Sequence, residues 1–191
     1  MKNLFEYVAN ISIKFNLKFF YKFFYKIFKF FLTDKIILKF PQCKFVAYPQ
    51  KKDLSRWMIR NLKIWDEKII NLIIKLIDDE NSIFIDIGCN YGAYSIPISK
   101  IKNNLKVVCF DPSRKSLDRL DENINLNNLK NIKYFKLGIG EKKGTVYFDD
   151  DINNYKNSGS FEINNKNLGY KIRIDSIDNL IRENKIQIKK N

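Results

Sequence analysis

The residues best suited to chemistry fall in two acidic turns, in a chain that contains no histidine. Asp86-Ile87-Gly88-Cys89-Asn90-Tyr91-Gly92 places a carboxylate two residues before a Gly-x-x-x-Gly pair, and Asp111-Pro112-Ser113 begins 23 residues after Gly88. Glycines let a backbone turn sharply and approach a ligand with no Cβ in the way. A carboxylate at a strand end can accept both hydroxyls of a ribose. The lack of histidine excludes Ser-His-Asp and Cys-His nucleophile systems, His-ligated metals and the usual general base near pH 7. Cys43, Cys89 and Cys109 form no CxxC pair and are too few for a zinc or iron–sulfur site. No metal is expected, and the sparse cysteines read as reduced thiols in a cytosolic chain. Chemistry is left to carboxylates, Lys, Tyr or a cofactor that brings its own reactive group.

The elements that must position these turns follow from the apolar pattern. Ser82–Ile87 is a short, nearly continuous apolar run, which predicts a strand covered on both faces. A helix is expected over Ala93–Ile101, kinked or late in starting because Pro97 lies inside it. Leu105–Phe110 predicts a second buried strand, Ser113–Asn125 a helix with Leu117, Leu120 and Ile124 on one face, and Ile132–Leu137 a third strand. Strands alternating with helices at this spacing predict an α/β fold, a Rossmann-like parallel sheet with right-handed crossovers. In such sheets ligands bind beyond the carboxyl ends of the strands, where both turns sit, and the next helix offers free N–H groups to an anion. The geometry suits a nucleoside-containing cofactor. The glycines do not make the GxGxxG of a dinucleotide site, and no GKS or GKT of a P-loop exists.

The 191 residues divide unevenly. Residues 1–60, a basic and aromatic extension with a connector, hold 13 Lys/Arg against three acids and 11 of the 16 Phe; residues 61–191 form the expected domain. Within 15–31, Lys18, Lys22 and Lys26 repeat every four residues beside Phe19, Phe20, Phe23, Phe24, Ile27, Phe28 and Phe31. This predicts an amphipathic helix. A lysine in every turn excludes a membrane span, and no uninterrupted apolar core marks a signal peptide. Two readings fit: the helix lies on an anionic membrane surface, or it packs its Phe face on the following domain or on a second copy. Only six of 35 basic residues are Arg and no helix-turn-helix or RNA-binding motif is present, so no nucleic-acid partner is expected. Residues 41–60, with Pro41 and Pro49, read as an extended connector, and Asp66–Asp79 as a helix. The expected location is the cytoplasm, with residues 15–31 able to touch the inner membrane face.

The D-x-G-x-N-x-G turn resembles the first motif of S-adenosylmethionine (SAM)-dependent methyltransferases. Together with VVCFDPSRKSLDRLDENINLNNLKNI and FKLGIGEKKGTVYF, it makes about residues 82–180 similar to the FkbM-type family of these enzymes. The resemblance implies a class I methyltransferase sheet that binds SAM through Asp86, Gly88, Asn90, Gly92, Asp111, Pro112 and Gly138. Asp86 would sit near the methionine ammonium, the Gly88/Gly92 turn under the cofactor, and Asp111 at the ribose. Family members commonly O-methylate sugars or polyketide-type hydroxyls, which implies a small-molecule or glycan acceptor. Cys89 replaces the family's Ala and Asp111 its Glu. An I-D-x-x-K-x-D-x-E-G-x-E strand, which in the family adjoins the first strand, does not follow Lys185–Asn191. The expectation is therefore a truncated or split member whose first strand has an unpaired edge, and a non-catalytic remnant that docks through its helix is the alternative. No catalytic base is assigned. Asp175 and Glu67 are candidates that also read as capping or solvated acids, and Asn157, Ser158 and Ser160 lie in a loop that either covers the pocket or is ordinary surface. A nicotinamide-dependent oxidoreductase is disfavoured by the Gly spacing.

Overall fold

The computed structural model describes residues 2–31, 35–51, 53–77, 82–151, 162–164 and 169–186. Two helices come first, α1 (Lys2–Lys14) and α2 (Lys18–Phe28), separated by Asn16 in the left-handed region. A turn of 3-10 helix over Lys29–Phe31 continues α2. The strands β1 (Ile36–Lys39) and β2 (Lys44–Ala47) form an antiparallel hairpin, and α3 (Leu54–Asn61) follows. The extended connector expected over 41–60 is thus corrected. Pro41-Gln42 makes the hairpin bend, and Asp53 accepts the N–H groups of Ser55 (2.8 Å) and Arg56 (3.3 Å), a cap that starts a helix where Pro49 had suggested none. The helix α4 (Glu67–Leu76) falls inside the range expected for it.

Next come β3 (Ile83–Ile87), α5 (Ser95–Ile101), β4 (Lys106–Asp111), α6 (Arg114–Asn127) and β5 (Ile132–Lys136). The three strands form a parallel sheet in the order β3-β4-β5, with Asp86 opposite Cys109 and Phe110 opposite Phe135, and the fold is Rossmann-like. α5 starts late, so Pro97 falls in its first turn, where a missing N–H leaves no helical bond unmade. Ser113 caps α6 by accepting the N–H of Ser116. A second sheet follows: β6 (Gly138–Ile139), β7 (Gly144–Asp149), β8 (Glu162–Asn164) and β9 (Tyr170–Asp175), ordered β6-β9-β7-β8. Finally α7 (Ile177–Arg182) sets Leu180, with Ile186 beyond it, against Val108 and Phe110 of β4.

Among the described residues β3 pairs only with β4. Ile83, Phe84 and Ile85 are half-buried and Ile87 is 56% exposed, so the expected cover on both faces of β3 is corrected. An apolar run reports that a strand is buried but not how completely each of its faces is covered.

One apolar core runs from Phe5 and Tyr21 through Ile36, Phe45 and Met58 to Ile96, Leu117 and Leu120. α6 joins the hairpin to this core through two asparagines four residues apart, which share one helix face. Asn123 accepts Val46 N–H (2.8 Å) and donates to Tyr91 O (2.9 Å), while Asn127 accepts Lys44 N–H (2.8 Å) and donates to Lys44 O (2.7 Å). The edge of β2 is thereby closed, as exposed strand edges otherwise invite pairing. Beside them Arg119 lies between the rings of Tyr48 and Tyr91 at 4.6 and 4.7 Å and reaches Asp53 at 2.6 Å. No described helix is long and apolar enough to cross a membrane.

Candidate functional site

The parallel register brings the two acidic turns side by side at the carboxyl ends of β3 and β4. Both carboxylates are buried, at 9% and 6% exposure. Asp86 accepts a hydrogen bond from the Ser95 hydroxyl at the start of α5, and the Cys109 thiol donates to that hydroxyl at 3.1 Å. Burial raises the Asp86 pKa, against the Ser95 bonds that lower it. In the turn, Gly88 adopts φ +74°, a conformation that favours glycine, and Asn90 enters the left-handed region at φ 51°. The carbonyl of Phe110 takes the N–H groups of both Gly88 (2.8 Å) and Cys89 (3.1 Å), which stitches the turn to β4.

Asp111 is wired directly to the first turn. One of its oxygens accepts Asn90 N–H at 2.8 Å and the other accepts Ser113 N–H at 2.9 Å. Burial pushes its pKa up to about 6, opposed by those backbone bonds and assisted by the nearby charges of Asp86 and Asp150. A carboxylate oxygen has two acceptor positions, so each of these can still receive a hydroxyl.

The glycines divide by what surrounds them. A Cβ on Gly88 would meet nothing within 4 Å, leaving open space over the turn. A Cβ on Gly92, at φ +87°, would meet Leu120 at 2.6 Å and Ile96 at 2.7 Å, so this glycine lets α5 and α6 pack closely. Gly138 sits in β6, where a Cβ would press on Ile174 (3.0 Å) and Ile172 (3.2 Å) of β9. Pro112 is half-buried between Asp111 and the capping Ser113.

Sequence reasoning missed Asp150. This buried carboxylate at the end of β7 takes the hydroxyl of Ser113 (2.9 Å), the ammonium of Lys115 (3.0 Å) and the hydroxyl of Tyr170 (3.1 Å), linking the second sheet to the Asp111 turn. The Asp149-Asp150-Asp151 run was visible, but nothing in its spacing ties it to Asp111. The two candidate bases are held elsewhere: Asp175 accepts from Ser176 N–H and the Asn179 amide at the cap of α7, and Glu67 from Gln42. Asn157, Ser158 and Ser160 lie outside the described residues. A cleft of about 300 Å³, lined by Ile83, Lys106, Lys130, Lys133 and Lys185, opens at the amino ends of the strands, opposite the acidic turns. All three cysteines are buried and free, and among the described residues no cluster of His, Cys, Asp or Glu could hold a metal ion.

No family model matches the chain. It is 26% identical over 98 residues to the 2-O-methyltransferase NoeI of Sinorhizobium fredii, a stretch covering 49% of this chain and 40% of that protein. It is 27% identical over 92 residues to the tRNA/tmRNA (uracil-C(5))-methyltransferase of Campylobacter lari, covering 48% of this chain and 26% of that protein. The matched stretch is thus less than half the length of either relative. Among solved structures, TYW2 of M. jannaschii in complex with AdoMet aligns with a TM-score of 0.40 and 23% identity over 53% of this chain and 42% of that one. The tRNA (uracil-54, C5)-methyltransferase of Pyrococcus abyssi in complex with S-adenosyl-L-homocysteine aligns at 0.38 and 14% over 56% and 27%.

Proposed function

We propose that this chain is the cofactor-binding part of a SAM-dependent methyltransferase of the FkbM type, acting on a hydroxyl of a sugar or related small molecule. The observation that carries the reading is the junction of the two acidic turns, where Asn90 N–H ties Asp111 to a glycine turn with open space above Gly88. The similarity to a 2-O-methyltransferase supports the hydroxyl acceptor. Cofactor binding is assigned to residues 61–191, to which α1, α2, the β1–β2 hairpin and α3 are joined through one apolar core. The tRNA methyltransferase relative and the +14 net charge favour a second acceptor class, a nucleobase in RNA.

The residues present fit an adenosyl cofactor. Asp111 would receive the ribose hydroxyls, Asp86 would face the ammonium, and the open space over Gly88 would take the amino-acid end. When bound, SAM supplies a methyl already activated on sulfonium, so the protein's share is alignment of an acceptor and exclusion of water. The tethering of both carboxylates before any ligand arrives serves that alignment, because no side chain has to be ordered on binding.

Calorimetric titration with S-adenosylhomocysteine tests the reading. Binding is expected, and Asp111→Ala should weaken it by about 1–3 kcal/mol through loss of charge-assisted ribose bonds. Heat with NAD and none with S-adenosylhomocysteine would overturn it.

A further inference from the structure

The first helices hold an aromatic surface that stays exposed. α2 is packed inward by Tyr21, Phe24, Tyr25 and Phe28: Phe5 of α1 lies 5.8 Å from Tyr21 and 5.7 Å from Phe24, and Phe24 stacks on Phe28 at 4.2 Å. A different set points out. Phe19, Phe20, Phe23, Phe30 and Phe31 are 57–85% exposed, and Ile27 is exposed among them. At about 200 Å² for each fully exposed ring, these five present roughly 700 Å², more than the largest apolar patch of a typical monomer.

The third sector of the helix is basic. With 3.6 residues per turn, Lys18, Lys22 and Lys26 line up between the packed face and the exposed one. Residues 7–33 contain five lysines and no carboxylate. The exposed rings are therefore bordered by positive charge with no acid of this segment to balance it. The packing that fixes α2 also fixes the direction in which both sectors point, so the surface exists before any partner arrives.

We propose that the outer face of α2 and its 3-10 continuation, Phe19 to Phe31, is a docking surface for an anionic lipid bilayer. The helix lies in the plane of the surface, its rings enter the boundary between headgroups and acyl chains, and its lysines meet the anionic headgroups. An 11-residue helix is about 16 Å long, far short of the roughly 30 Å hydrocarbon core, so it rests on the bilayer and does not span it. A second copy fits less well, because apposing two such faces would crowd their lysines with no carboxylate from either segment between them. A single-stranded nucleic acid would use the lysines, but bases stack on aromatics that line a groove, and these rings stand on the outside of a helix. The inference is independent of the methyltransferase reading.

The experiment is co-sedimentation of the full chain with vesicles of phosphatidylcholine containing about one-third phosphatidylserine, beside vesicles of phosphatidylcholine alone. Binding to the anionic vesicles, weakened in about 0.5 M salt, is expected. Replacing Phe19, Phe20 and Phe23 together with Ser should lower partitioning about 100-fold with an unchanged melting temperature, because none of the three is in the packed set. Replacing Lys18, Lys22 and Lys26 with Gln should abolish the preference for anionic vesicles, and it tests the surface separately if the first variant folds poorly. Wild-type protein that stays in the supernatant with both vesicles overturns the proposal. So does a dimer, seen by sedimentation equilibrium, that the Phe triple variant dissolves while no vesicle binding occurs. Binding to a polyuridine RNA that the same variant abolishes, again without vesicle binding, also overturns it and transfers the surface to nucleic acid.

Discussion

The two turns that follow β3 and β4 bury carboxylates, while α2 exposes phenylalanines. Each region inverts the ordinary partition of polar groups outward and apolar groups inward, and the two inversions are held in place differently. At the turns the carboxylates are held by directional contacts: Asp86 takes the Ser95 hydroxyl, and Asp111 takes Asn90 N–H and Ser113 N–H. On α2 the exposed rings are oriented only because the opposite face is packed on Phe5. Proteins break the local rules of folding mainly where a ligand restores the balance. A small polar ligand restores it at the turn and a broad apolar surface at the helix, so the first site must be positioned to a fraction of an ångström and the second need only face the right way.

The largest expected effect separates stability from binding inside the turn itself. Gly92→Ala adds a Cβ at 2.6 Å from Leu120 and 2.7 Å from Ile96 on a backbone at φ +87°. Overpacking and left-handed strain together should cost about 3 kcal/mol of folding stability. Gly88→Ala has the same kind of strain but meets no atom within 4 Å, so only about 1 kcal/mol is expected. The new methyl instead enters the space assigned to the cofactor. Urea unfolding should find Gly92→Ala much the less stable, and titration with S-adenosylhomocysteine should find Gly88→Ala the poorer binder of the two folded proteins. Equal losses of stability would mean that the two glycines share one role.

That contrast also marks what the sequence could reveal. The β3-α5-β4-α6-β5 succession was legible because each element is short, strongly patterned and bounded by its own turn residues. The pairing of Asp86 with Asp111 followed from parallel topology, since both close strands that such a fold sets side by side. The helix α1 and the hairpin Ile36–Ala47 were not legible although both are rich in apolar residues, because the partners that order them are remote in sequence: Asn10 of α1 bonds to Ile37 and Lys39 of β1, and α6 closes β2. Asn123 and Asn127 close the edge of β2 from 77 and 83 residues away, and no local pattern reports such a partner. The Asp150 contact to Ser113 was hidden for the same reason. On α2 the aromatic residues were evident, but their division into a packed set and an exposed set depends on where α1 lies.

A smaller effect tests whether the buried charge at the turn is the part that binds. Asp111 has its pKa pushed up to about 6 by burial, above the ordinary value near 3.9 for an aspartate. The folded protein therefore binds this proton more tightly than the unfolded chain, so the group favours folding at pH below about 4, and that contribution is lost as pH rises through about 6. Ligand binding has the opposite sign, because ribose hydroxyls donate to the ionised carboxylate. Affinity for S-adenosylhomocysteine should be level above about pH 7 and fall toward tenfold per unit below about pH 6. Titrations at several pH values check this, with Asp111→Ala separating its contribution from that of Asp86. A profile in the parent protein as flat as that of the variant would mean that the ligand does not touch Asp111.

The smallest expected effect asks whether the layer under α2 is apolar throughout. Tyr21 is almost fully buried between α1 and α2, and its hydroxyl has no hydrogen-bond partner among the described residues. Burial, with Tyr25 nearby, raises its pKa well above the ordinary value. A buried hydroxyl that has given up water without gaining a partner is a net cost, whereas the carboxylates of Asp86 and Asp111 are satisfied by named donors. Tyr21→Phe removes that hydroxyl and keeps the ring against Phe5, so stability should rise by about 1 kcal/mol, read as a higher urea midpoint with an unchanged slope. The exposed rings of Phe19 and Phe23 would keep their direction. A loss of stability would show that the hydroxyl has a partner after all, and that the helix layer is held by directional bonds as the turn is. The outer face would then be positioned as closely as a binding site for a small ligand, which the bilayer reading does not require.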